Sequence, residues 1–154
     1  AFLPCQLPKR LYPKFYIIFS NLLQKFANLF YSFCSTSYVK LQQAYYSESA
    51  VAGGWTLIGY TAPNDGQTTN FVYGIGDIPL NNSTEVANAT TGWQAANLKP
   101  LNDCTAGAGT AKSDLTTANW TVDVKGDATA LTFDSKANGA GCVALTPTFS
   151  NIGK

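Results

Sequence analysis

Apolar residues recur at a three-four spacing along the first third of the chain, at Phe15, Phe19, Leu22, Phe26, Leu29 and Phe33. That repeat lays side chains along one face of an α-helix. Asn21, Lys25, Asn28 and Ser32 repeat at the same spacing on another face, so the pattern predicts an amphipathic helix with a wide apolar side and a narrow polar stripe. Neither Gly nor Pro interrupts the chain between Lys14 and Gly53. A helix continuing through Ser49 would be ~54 Å long at 1.5 Å per residue. Pro4, Pro8 and Pro13 argue against regular helix in the opening stretch, while Pro13 suits a helix's first turn.

The pattern changes near residues 49–54, where Phe, Tyr, Leu and Ile give way to Gly, Thr, Asn, Ala and Asp. Such a shift marks a boundary between structural regimes, here residues 1–50 and 51–154. The second part predicts short strands punctuated by turns. Trp55–Thr61 alternates apolar and polar and ends at the turn signal Pro63-Asn64-Asp65-Gly66. Asn70–Tyr73 is a second strand. Asn119–Val124 and Ala128–Asp134 flank Lys125-Gly126-Asp127 as an antiparallel hairpin, and Cys142–Thr146 reads as a last strand. The polar stretch Asn81–Gly109 reads as a long loop with a short turn of helix near Trp93. The expected fold class is α+β: a long N-terminal helix packed on a small antiparallel β-sheet head.

A helix of that length exceeds what one small head can bury. Three readings follow: it packs on its own domain, crosses a membrane once, or packs against copies of itself. Asn21, Gln24, Lys25 and Asn28 break the apolar run below the ~18 residues of a membrane span. Self-association would place Phe15, Ile18, Phe19, Leu22, Phe26, Leu29, Phe30 and Phe33 in a polymer interface.

Charge sharpens this division. Residues 1–48 carry Lys9, Arg10, Lys14, Lys25 and Lys40 against Glu48 alone, whereas residues 49–154 carry eight acids against five lysines. The two parts therefore suit different environments, such as a packed or membrane interior and water. Five cations spread among aromatics form no patch for nucleic acid. The chain also lacks methionine, which implies a processed or incomplete polypeptide.

Four cysteines, Cys5, Cys34, Cys104 and Cys142, lack the close pairing of a zinc site. Cys104 and Cys142 flank a polar segment rich in Gly and Thr, which favours a disulfide formed in an oxidising compartment. Cys5 and Cys34, if near opposite ends of one helix, would lie ~40 Å apart and could not bond within one chain.

Catalytic chemistry finds little support. The chain has no histidine, which removes the usual base near neutral pH, the commonest metal ligand and any conventional triad. Asp123, Asp127 and Asp134 fall at hairpin ends, where acids are ordinarily solvated rather than paired for glycoside cleavage. Gly74-Ile75-Gly76 and Gly107-Ala108-Gly109 lack the third glycine of a nucleotide loop. Asp65, Asp77 and Asp103 lack the dense spacing of a calcium loop. No catalytic residue, metal or cofactor is expected. Asn81, Asn82, Asn88 and Asn119 each begin an Asn-x-Ser/Thr sequon, and the 81–90 segment is the expected glycan-bearing surface if the source glycosylates.

The stretch Tyr38–Thr69 (YVKLQQAYYSESAVAGGWTLIGYTAPNDGQTT), with the later TGWQAANLKPLNDC and the Cys104/Cys142 pair, resembles type IV pilins, in particular those of the Fibrobacter kind. The resemblance covers about three quarters of the chain. It implies a ladle-shaped subunit with a C-terminal disulfide loop, held in the inner membrane before assembly. It further implies a homo-polymer with helices bundled in the core and heads exposed for surface attachment or motility, that is, an extracellular filament on the cell surface. The front departs from the family. Pilins open on Phe with Glu at the fifth position, an acid that pairs with a neighbour's N-terminus; here the fifth residue is Cys5 and no carboxylate precedes Glu48. Either assembly proceeds without that contact, or the N-terminal sequence before Tyr38 is wrongly assigned or read in a shifted frame.

Two rivals share most of these features. A membrane-anchored secreted module could bind surfaces or polysaccharide through a platform of Trp55, Trp93 and Trp120, although aromatics in strands more often form core. A pseudopilin of a secretion system would have the same fold and build only a short piston. Electron transport along Phe15, Tyr16, Phe19, Phe26, Phe30 and Tyr31 would need no spacing beyond what helix packing already requires.

Overall fold

The computed structural model describes residues 20–154, with side chains described from Cys34 onward. The fold mixes helix and antiparallel sheet. Helix α1 (Ser20–Ser49) leads into the two-residue strand β1 (Ala52–Gly53) and the single-turn helix α2 (Trp55–Ile58). A 3-10 turn at Pro63–Gly66 precedes β2 (Phe71–Gly74), and β3 (Ser83–Thr84) precedes β4 (Thr90–Asn97). Strands β5 (Trp120–Gly126) and β6 (Leu131–Ala137), helix α3 (Ala140–Leu145) and a 3-10 turn at Phe149–Asn151 complete it. The main sheet is antiparallel in the order β2-β4-β5-β6, and β1 pairs separately with β3.

The core explains this order. Trp93, Ala95, Trp120, Val122, Val124 and Phe133 form one cluster with Tyr38 and Val39 of α1, Ala52 of β1, and Trp55 and Ile58 of α2. Packing therefore runs across the composition break at residues 49–54. A second, smaller cluster of Val72, Ala96 and Leu115 lies under the segment that joins β4 to β5. The central strand β4 is thus buried on both faces.

That double burial corrects the expected loop at Asn81–Gly109, whose middle is β4 and not a turn of helix near Trp93. A strand covered on both sides needs no apolar-polar alternation, and its Thr, Gln, Ala and Asn hid it. The strand expected at Trp55–Thr61 is instead α2 followed by a left-handed Gly59 (φ 73°). Trp55 and Ile58 are buried while Thr56 and Leu57 are exposed, the period of one helical turn. The strand expected at Cys142–Thr146 is also replaced, by α3, which turns Cys142 inward and leaves Val143 exposed. The hairpin forms, but Lys125 and Gly126 stay paired with Thr132 and Leu131, so the turn falls at residues 127–130. The Asp127 carboxylate closes it by accepting from the Thr129 backbone N–H and hydroxyl (both 2.8 Å) and the Ala130 N–H (2.9 Å). The Thr129 N–H above all holds that carboxyl below its usual range.

Candidate functional site

Among the described residues, no three His, Cys, Asp or Glu side chains gather to hold a metal ion, and no helix is long and apolar enough to cross a membrane. Two shallow hollows of about 260 and 270 Å³ carry charged groups that neutralise one another. In the first, Lys136 bridges Asp134 (2.9 Å) and Asp123 (3.1 Å), and those carboxylates, Asp134 foremost, raise the Lys136 amine. In the second, Lys112 pairs with Asp65 at 2.6 Å.

The densest buried arrangement instead fastens α1 to the rest of the chain. Gln42 is fully buried. Its Nε2 donates to the Gly53 carbonyl (2.8 Å) and to the Tyr38 hydroxyl (2.9 Å), while its Oε1 accepts from the Gly53 N–H (2.8 Å). One amide therefore satisfies both main-chain groups of Gly53. Tyr38, one turn earlier on the same helix face, meets the edge of Tyr60 at 5.7 Å, and Tyr60 meets Trp55 at 4.8 Å. Trp93 Nε1 donates to the Tyr60 hydroxyl (2.8 Å), and Trp55 Nε1 to the Gly92 carbonyl (3.1 Å). Every polar tip of this aromatic group thereby gains a partner, as burial requires.

Close approach depends on Gly92. It sits where the pairing of β4 with β5 shifts between Thr91 and Trp93, and a Cβ there would overlap the Tyr38 hydroxyl. The bulge and the missing side chain together admit the helix. At the helix's last turns Tyr46 repeats the arrangement, its hydroxyl donating to the Asp127 carbonyl (2.7 Å) across Gly126.

Burial first, offset in part by the Gln42 bond, pushes the Tyr38 phenol well above its ordinary value. The folded state keeps a proton that the unfolded chain loses near pH ~10, so this contribution is complete below that pH and fades as pH rises beyond it. Tyr38→Phe is expected to lose less stability than the unsubstituted protein between about pH 9 and about pH 11 in urea titrations. Equal slopes for both proteins would refute this assignment.

The predicted site residues distribute as follows. Cys104 and Cys142 are joined by a disulfide with Cα atoms 4.6 Å apart, tying the segment after β4 to α3. Asn81, Asn82 and Asn88 are exposed on the segment before β4, and Asn81 Oδ1 accepts from the Thr56 hydroxyl (2.7 Å). Asn119 is buried, its amide donating to Asn97 Oδ1 and to the Thr105 carbonyl, so a glycan there would require that network to open. Trp55, Trp93 and Trp120 are each at most 2% exposed and make no surface platform. Leu22, Phe26, Leu29, Phe30 and Phe33 lie on α1 with side chains outside the described set, and Phe15, Ile18 and Phe19 lie outside the described residues altogether. Sequence reading missed the fastening of Gln42 and Gly92, since neither Lys40-Leu41-Gln42-Gln43 nor Thr91-Gly92-Trp93-Gln94 carries a local mark of it. Comparison with protein-family models, curated proteins and solved structures finds no match to this chain.

Proposed function

We propose that the chain is the structural subunit of an extracellular type IV pilus-like filament, a homo-polymer built through helix bundling with the heads outside. The observation that carries this reading is the division of α1. The helix is 30 residues long, about 45 Å at 1.5 Å per residue, and its Tyr38, Gln42 and Tyr46 are fastened into the head. The apolar repeat continues upstream through Leu22, Phe26, Leu29 and Phe33. In this reading the head takes the C-terminal turns of a long helix packed on its sheet, and neighbouring subunits take the upstream stripe. Burial at ~25 cal/mol per Å² is ample to drive bundling when many neighbours touch each helix.

The disulfide supports an oxidising compartment, and a role without catalysis accords with a chain that has no histidine. Resemblance of Tyr38–Thr69 to pilins supplies the polymer class. Negative-stain imaging of native material with intact mass of the same sample tests the proposal. Long uniform fibres containing this chain support it, and monodisperse particles of the expected mass refute it. Phe19→Asp and Phe26→Asp are each expected to abolish fibres while the protein keeps its cooperative thermal transition. Normal fibres from both variants would eliminate a helical core.

A further inference from the structure

We propose that Asn138 is a site of intramolecular deamidation, at which the folded head ages chemically without any enzyme. Asn138-Gly139 is the chain's sole Asn-Gly pair, and it sits exposed immediately after β6. The Gly139 nitrogen is the nucleophile. It donates no hydrogen bond to another backbone group among the described residues, and the space a Cβ would occupy is empty to 4 Å. Gly139 also lies outside the helical region, at φ 84° and ψ 144°; its carbonyl caps α3 by accepting from the Val143 N–H (3.0 Å), while its nitrogen stays out of the helix's bonding. These features together leave the nucleophile unobstructed by side chain or backbone acceptor, and the attack needs only that the Asn138 amide leave the Ala118 carbonyl it donates to.

The Gly139 nitrogen bonds to Asn138 Cγ as the Cγ–Nδ2 bond breaks; the nitrogen's proton is lost and ammonia departs. Water then opens the resulting five-membered imide at either carbonyl, giving aspartate or isoaspartate. Overall one water is consumed and one ammonia released. The other asparagines lack this combination. Asn97 and Asn119 are buried, while Asn64 and Asn102 precede aspartates and Asn81 precedes another asparagine.

Conversion has a structural consequence that follows from the bonds Asn138 now makes. Its Nδ2 donates to the Ala118 carbonyl (2.9 Å) and its backbone N–H to the Asn119 carbonyl (2.8 Å), closing the open end of the β5–β6 hairpin. A carboxylate has no proton to donate to Ala118, and isoaspartate also lengthens the main chain just before α3 and Cys142. The hairpin's open end loosens as the product accumulates.

The test incubates the full chain, folded and separately unfolded in denaturant, at mildly alkaline pH. Peptide mapping and isoaspartyl methyltransferase labelling then follow every asparagine. Asn138 is expected to convert severalfold faster than any other asparagine in the folded protein, with isoaspartate among the products and faster amide exchange at Asn138. Asn138→Gln is expected to abolish the labelling there while leaving the thermal midpoint nearly unchanged. An Asn138 that stays intact while the unfolded chain converts, or that converts no faster than other exposed asparagines, overturns the proposal.

Discussion

Gln42→Leu is expected to destabilise the protein by roughly 2–6 kcal/mol, from two buried main-chain groups orphaned at about 1–3 kcal/mol each. Leu nearly conserves volume, so little of that loss comes from a cavity. What remains is the Gly53 N–H and C=O, both satisfied by the one amide, together with a Tyr38 hydroxyl deprived of its donor. Water cannot substitute easily, because Gln42, Tyr38 and Gly53 are all buried. Urea unfolding of the full chain measures the difference. A loss under about 1 kcal/mol would mean that Gly53 finds other partners once the amide is gone.

Replacing both Cys104 and Cys142 by Ala is expected to cost roughly 4 kcal/mol in the chain-entropy treatment of a closed loop of this size. The bond spans 38 residues and encloses the segment over Ala96 and Leu115 as well as the whole β5–β6 hairpin. At this chain length that energy corresponds to a midpoint drop of about 8–16 °C. Both sulfur-bearing residues are at most 2% exposed, so a mild reductant should act on the folded protein only as that end opens. Calorimetry of the double variant reads the effect, and a midpoint within about 2 °C of the unsubstituted protein would refute it.

Much of the fold was legible where local patterns and final burial agree. The β5–β6 hairpin places Trp120, Val122 and Val124 inward and exposes Lys125, and its alternation could be read directly. β2 was found for a related reason: an aromatic-aliphatic run bounded by turn signals. β4 was illegible because a strand buried on both faces by small and polar residues carries no period. Gln94 and Asn97 sit there as buried polar groups, bonded to Asp114 and Leu115 in one case and to Lys99, Cys104 and Thr105 carbonyls in the other. Those partners are distant enough in sequence, or irregular enough in structure, that no local rule identifies them. α2 and α3 were misread because four to six residues hold too little of either period to separate helix from strand. The Cys104–Cys142 pairing was legible from the polar segment, rich in Gly and Thr, that the two cysteines flank. The fastening of α1 was not, since it depends on Gly92 meeting Tyr38, 54 residues upstream, and on Gly53 meeting Gln42, eleven residues upstream.

The Gln42–Gly53 contact has a mechanical meaning. Ten residues of chain separate the two, but the amide joins them directly. A pull directed along α1 is therefore transmitted to β1 through two short hydrogen bonds set side by side, before the covalent stretch through residues 43–52 becomes taut. The junction between α1 and the head resists tension as a shear joint rather than as a string, with the Tyr46–Asp127 bond carrying part of the same load.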